Sequence, residues 1–272
     1  MYLHGEWLFK TIFETKWCYL YLLITIPLLS YIGMLTSTAL SLPMASMIPL
    51  LIPFAYDVCF ANLRRGMFHF IFWFIVTALF VGFMSSLDYI YSENIINGKY
   101  FANDQFKLIK SSENLVQPVF NILRNYIYNY LFIAIASLVS GGLLAIFIIG
   151  ILLNNFAYYL SVLLESSHNK LGTILTGFYI WDIISFLSYF AVTLAFASYF
   201  LSFIFDFEVN KRMVLKYFLL SLLFLFLSIF FRVFFSKPWQ TLILKTVDVN
   251  KVVVLNVPDD IRTTTSFQFY RR

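Results

Sequence analysis

Two ionisable side chains, Asp182 and Arg232, stand inside long apolar runs of this 272-residue chain. A carboxylate is expensive to hold in hydrocarbon, so Asp182 is a candidate proton or ion site on a transport or gating path. The same carboxylate, beside Trp181, also suits the first turn of a helix, where it would accept from free backbone amides. Both readings stand. Arg232 lies near the end of an apolar run over 214–235, from where its long stem reaches the headgroup level or a phosphate. Other chemistry is sparse. The three histidines, His4, His69 and His168, fall in different junctions. No metal-ligand spacing, haem pair, phosphate-binding glycine loop or nucleophile with its base is present in the sequence. The expectation is a non-enzymatic chain with no catalytic, cofactor-binding or metal residues, its energy coming from a gradient or another protein.

The elements that would position Asp182 are membrane helices. Of the residues, 61% are hydrophobic and 12% charged, against about 25% charged in soluble domains. Residues 125–164 carry no Asp, Glu, Lys or Arg, and at about 1.5 Å rise per residue this run crosses a hydrocarbon layer of roughly 30 Å twice. We read it as a helical hairpin turning near Gly150. On one continuous helix, Ser137, Gly141 and Ala145 share a face at i, i+4 and i+8, a small-residue seam for close helix packing.

A second uncharged run, 17–56, predicts another pair of spans with a turn near 41–43. Pro49 and Pro53 are expected to kink or break its second half. Residues 67–87 predict a single span, and Arg64 and Arg65 place the junction before it inside. Residues 171–205, interrupted only by Asp182, exceed one perpendicular crossing, so they must tilt, kink or begin as an interfacial helix. The last span follows at 214–235. Lys211, Arg212 and Lys216 fall inside if the count is seven, and outside if 125–164 is one long helix and the count is six. Seven is preferred.

The expected architecture is an all-α polytopic membrane domain over 1–235 with a charge-balanced external loop at 88–124. A polar tail follows at 236–272, where 241–247, 251–257 and 263–270 read as two or three short strands. The N-terminus is expected in the cytoplasm and the tail outside. Cys18 and Cys59 read as small buried hydrophobes. The 33 Phe and 18 Tyr suit aromatic belts and lipid contact; no dense Arg/Lys track accompanies them, as a base-stacking groove would require.

Asn-rich 121–129, Gly141 with Gly142, Asn154 with Asn155 and the long span that follows resemble, over 67–205, the membrane family named for stage II sporulation protein M. Where that family carries a His-Gly-x-x-Glu signature, this chain reads GFYIWDIIS. In its length, six or seven spans, few charges and richness in Ile, Tyr, Phe and Leu, the whole chain is similar to the CedA family, polytopic subunits of the archaeal DNA-import system. That resemblance implies a cell-membrane subunit contributing to a DNA-import channel. Its implied partners are the lipid bilayer, small membrane proteins, a separate motor ATPase and single-stranded DNA, and an oligomer is compatible with it. The competing expectations are a secondary transporter for a small solute, with Asp182 as its coupling site, and a scaffold like the sporulation family.

Overall fold

A computed structural model describes residues 16–36, 40–60, 62–87, 102, 105, 119–205 and 210–247. Eight helices are described within them: α1 (Trp17–Leu35), α2 (Ser41–Cys59), α3 (Leu63–Leu87), α4 (Val119–Ser140), α5 (Leu143–Glu165), α6 (Lys170–Gly177), α7 (Ile180–Phe205) and α8 (Lys211–Thr246). Six of these, all but α4 and α6, are long and apolar enough to cross a membrane; the apolar part of α4 is the shorter Tyr126–Ser140. The chain is a helical membrane protein with the architecture of a multi-pass protein. The expected strands at 251–257 and 263–270, most of the 88–124 loop and the N-terminal approach lie outside the described residues.

The hairpin in 125–164 is there, but it turns at Gly141 and Gly142 rather than near Gly150. The cause is local. Gly141 and Gly142 have φ of +60° and +94°, left-handed values that cost a residue with a Cβ about 1–2 kcal/mol. Space enforces the choice at Gly142, where a Cβ would lie 2.5 Å from Phe54 Cζ on α2 and 3.1 Å from the Ala197 Cβ on α7. Gly150 instead lies within α5. The seam of Ser137, Gly141 and Ala145 is thus split: all three are buried, but on two helices and the turn between them.

Two further corrections concern α2. Its junction with α1 falls at 36–40, before Ser41, whose hydroxyl donates to the Gly33 carbonyl at 2.7 Å. Pro49 and Pro53 sit inside one unbroken helix, both buried among neighbouring helices. A third correction concerns 241–247: α8 runs on through Thr246, so this segment is helical and not a strand. Its end is held by Trp239, which donates to the Thr176 carbonyl at 2.6 Å, and by an antiparallel bridge from Val247 to Ser167. The over-long 171–205 divides into the short α6 followed by α7. Cys18 is buried as expected, whereas Cys59 is exposed at the end of α2.

The core sits where α2, α3, α5 and α7 meet, with Phe70, Trp73, Phe156 and Phe190 all but fully buried. Phe70 stacks on Phe190 at 4.7 Å between centroids, and Trp73 donates to the Ser46 carbonyl at 2.7 Å. Large hydrophobics face outward all round the bundle, Leu23, Ile75, Leu131 and Phe226 among them. That is the pattern of helices solvated by lipid. The contacts also fix two ends. The α2–α3 junction, the α4–α5 turn and the latter part of α7 meet at one end, where a Cβ on Gly66 would reach Leu194. The α5–α6–α7 junction forms the other, where Gly177 packs against Leu160 and Leu163.

Candidate functional site

Asp182 lies in the first turn of α7, its backbone amide donating to the Tyr179 carbonyl at 3.0 Å. Its carboxylate is half-buried and turns sideways, toward α4 and α8. The Tyr126 hydroxyl of α4 donates to Asp182 Oδ1 at 3.4 Å, and Arg232 of α8 donates to the same hydroxyl at 2.9 Å. The Arg232 guanidinium lies over the Tyr126 ring, 5.4 Å from its centroid. Arg232 therefore points into the bundle, not out to a headgroup as its position near the end of a span suggested. An acid and a base from different helices share one phenol, which stands between them as donor to one and acceptor from the other.

Below this trio a file of hydroxyls continues along the same three helices. Ser185 and Ser228 are 2.6 Å apart, and both donate to the Trp181 carbonyl, at 2.8 and 2.7 Å. Next, the Tyr130 hydroxyl and Ser221 Oγ lie 2.7 Å apart, with Ser188 donating to the Ser221 carbonyl at 2.8 Å. Ser137 then donates to Thr193 at 3.3 Å. Ser185, Ser188, Thr193, Ser221 and Ser228 are all buried. From Asp182 to Thr193 the file extends along roughly 16 Å of α7, at about 1.5 Å per residue. Ser185 and Ser228 give their hydrogens to the Trp181 carbonyl, and Ser221 and Ser137 also donate to the Phe218 and Ile133 carbonyls, so the hydroxyls form a buried polar seam between the helices. The same bonds also join the helices, which in an apolar surround is worth about 0.6–2 kcal/mol each.

Of the residues singled out in the sequence, Ser137 joins this file, while Gly141 and Ala145 serve the turn and its packing. Tyr126, Tyr130, Ser185, Ser188, Ser221 and Ser228 were not picked out. A signal existed: on α8, Ser221, Ser228 and Arg232 recur at i, i+7 and i+11, one helical face. A separate buried polar patch lies on α5, where the Asn154 amide, 1% exposed, has no hydrogen-bond partner among the described residues. Among those residues there is also no group of three His, Cys, Asp or Glu able to hold a metal ion. No protein-family model, curated protein or solved structure matches this chain.

Proposed function

We propose that this chain is a seven-crossing membrane transporter in which the Asp182–Tyr126–Arg232 trio and its hydroxyl file couple movement of a solute to a proton or small ion. The observation that carries the reading is the trio itself. An acid and an arginine inside a helical bundle are costly, and here they face each other across a phenol instead of reaching for water. Protonation of Asp182 would release Arg232 from its counter-charge, and the two states would favour different packings of α4 against α7 and α8.

The seventh crossing is α4. It spans about 33 Å at 1.5 Å per residue and brings Tyr126 level with Asp182 at one end and the Gly141 turn level with Phe54 at the other. The end with the α2–α3 junction carries Lys16, Arg64, Arg65, Lys211, Arg212 and Lys216, which supports a cytoplasmic position for it and an extracytoplasmic position for the end of α8.

A second reading has its own observation. The 36-residue α8 has 17% of its apolar window buried, against 72% for α5, so one long flank is left for lipid or for partner helices. That flank suits a non-enzymatic subunit of a translocation machine, with DNA import by a CedA-like system as its named form, working with small membrane proteins and a motor ATPase. Reconstitution of the purified chain alone into proteoliposomes separates the readings. Solute-driven proton or ion flux that falls at least tenfold in Asp182→Asn supports the transporter. A chain inert alone but active once co-purifying membrane proteins and an ATPase are added supports the machine.

A further inference from the structure

We infer that the cleft between α3 and α7 is a binding site for one acyl chain of a membrane lipid. The site does not depend on the transport reading, since it uses a face of α7 that the Asp182 trio and the hydroxyl file leave free. Its floor is aromatic. Phe74 of α3 meets Phe186 of α7 at 4.9 Å between ring centroids, and Phe190 lies 6.2 Å from each, all three buried. Rings stacked between two helices hold the backbones apart. Beyond them, toward the outside of the bundle, Ile75 and Leu79 of α3 and Leu187 of α7 form walls that do not close, leaving a cleft of about 330 Å³.

The lining decides what can occupy that space. Every lining residue is Ile, Leu or Phe, so a water there would lack the polar partners it needs, and a headgroup would be stripped of its own. Left empty, the cleft would forfeit dispersion contacts along its whole floor, which close-packed proteins avoid at this size. It takes a hydrocarbon.

Shape and position narrow the occupant further. From Ile71 to Leu79 the cleft runs about 12 Å along α3, near the depth of one leaflet's tails in a core of roughly 30 Å. A volume of about 330 Å³ over about 12 Å leaves a channel of about 28 Å² in section, against roughly 80 Å² for a helix 10 Å across. That admits one chain and refuses a partner helix. The mouth is continuous with the lipid-facing surface: Ile75 and Leu79 belong to an exposed stripe of α3 with Phe68 and Phe83. The cleft begins at Phe178, at the α6–α7 junction, and runs inward to Phe190, so the lipid belongs to the leaflet at that end.

Photolabelling tests the site directly. The full chain is placed in phosphatidylcholine nanodiscs in which a minor share of the lipid carries a diazirine midway along one acyl chain, then irradiated, digested and mapped by mass spectrometry. A chain in the cleft touches protein over most of its surface, whereas one beside Leu223 and Phe226 of α8 touches it on one side. Adducts over 71–79 and 183–190 should therefore exceed those at these two exposed α8 positions about fivefold or more. Leu187→Trp, which fills the cleft, should bring them down to the α8 level. Labelling no denser in the cleft than on α8, or dense labelling that Leu187→Trp leaves unchanged, overturns the proposal. So does a cross-link between two copies through 75 or 79 in place of lipid adducts, which would give the cleft to a second chain. Where Leu187→Trp fails to fold, Leu79→Trp fills the cleft from the other wall, and the ratio of cleft to α8 labelling in the unaltered chain is decisive by itself.

Discussion

At the scale of single residues the two ends of the bundle are organised by opposite needs. Gly142 is fixed by conformation and space together: φ of +94° and Phe54 at 2.5 Å from a would-be Cβ leave no room for a side chain. Gly142→Ala is expected to destabilise the protein by about 2–3 kcal/mol, the left-handed strain of about 1–2 kcal/mol plus the displacement of Phe54. Chemical unfolding in mixed micelles would read this, and Phe54→Leu should recover part of the loss. Tyr126 is fixed by charge. Tyr126→Phe removes one hydroxyl from between Asp182 and Arg232 and should couple to Asp182→Asn by about 0.5–3 kcal/mol in a double-mutant cycle. Strict additivity of the two changes would mean that the phenol does not link them.

At the scale of elements, hydropathy located nearly every helix, because an uncharged forty-residue run has few alternatives in a membrane. It failed where tertiary contacts decide. The turn of the central hairpin was assigned to Gly150, one glycine among apolar residues, whereas the conformation that ends α4 needs two successive left-handed residues, and Gly141 with Gly142 supply them. Pro49 and Pro53 are expected to kink or break α2; they do not break it, and α2 packs as one helix against α1, α3 and α5. The β-branched residues of 241–247 favoured a strand by propensity; continuation of α8 and the anchor at Trp239 override it. Spin labels placed singly through 236–246 should show mobility repeating every 3.6 residues, and a repeat of two would restore the strand. Trp239→Phe should cost about 1–3 kcal/mol, the loss of the bond it donates to the Thr176 carbonyl.

The candidate site was legible only in part for a related reason. Asp182 stood out because a lone carboxylate in an apolar run is rare, but Arg232 looked like a snorkelling residue because sequence gives depth and not direction. The serines on α7 and α8 were hidden by the sheer number of apolar neighbours, and Tyr126 by the abundance of tyrosine. His69 reads as one of three scattered histidines; the eleven residues between it and Asp57 form a helix end, a turn and a helix start, and only that fold brings the ring and the charges together.

At the scale of the whole molecule, the helices form a bundle with one basic end and one end of mixed charge, with Asp57 and Arg65 near the first and Asp182 and Arg232 near the second. The proposed seven crossings, with the basic end cytoplasmic, would put Asn62 and Asn210 on the cytoplasmic side and His168 outside. In a cysteine-free background, single cysteines at 62 and 210 should react with a membrane-impermeant reagent only from the cytoplasmic face, and one at 168 only from the outer face. Labelling of 62 and 168 from the same face would remove α4 or α5 as a crossing and require a different count.

The central claim is that the Asp182–Tyr126–Arg232 trio couples transport to a proton or small ion. Its most direct test is flux into proteoliposomes containing the purified chain alone, followed with a pH-sensitive dye or an ion indicator while candidate small solutes are supplied in turn. The account predicts flux that depends on the solute, drops at least tenfold in Asp182→Asn and is weakened in Tyr126→Phe. Flux that is unchanged in Asp182→Asn, or none from the correctly folded chain with any solute or gradient, would contradict it.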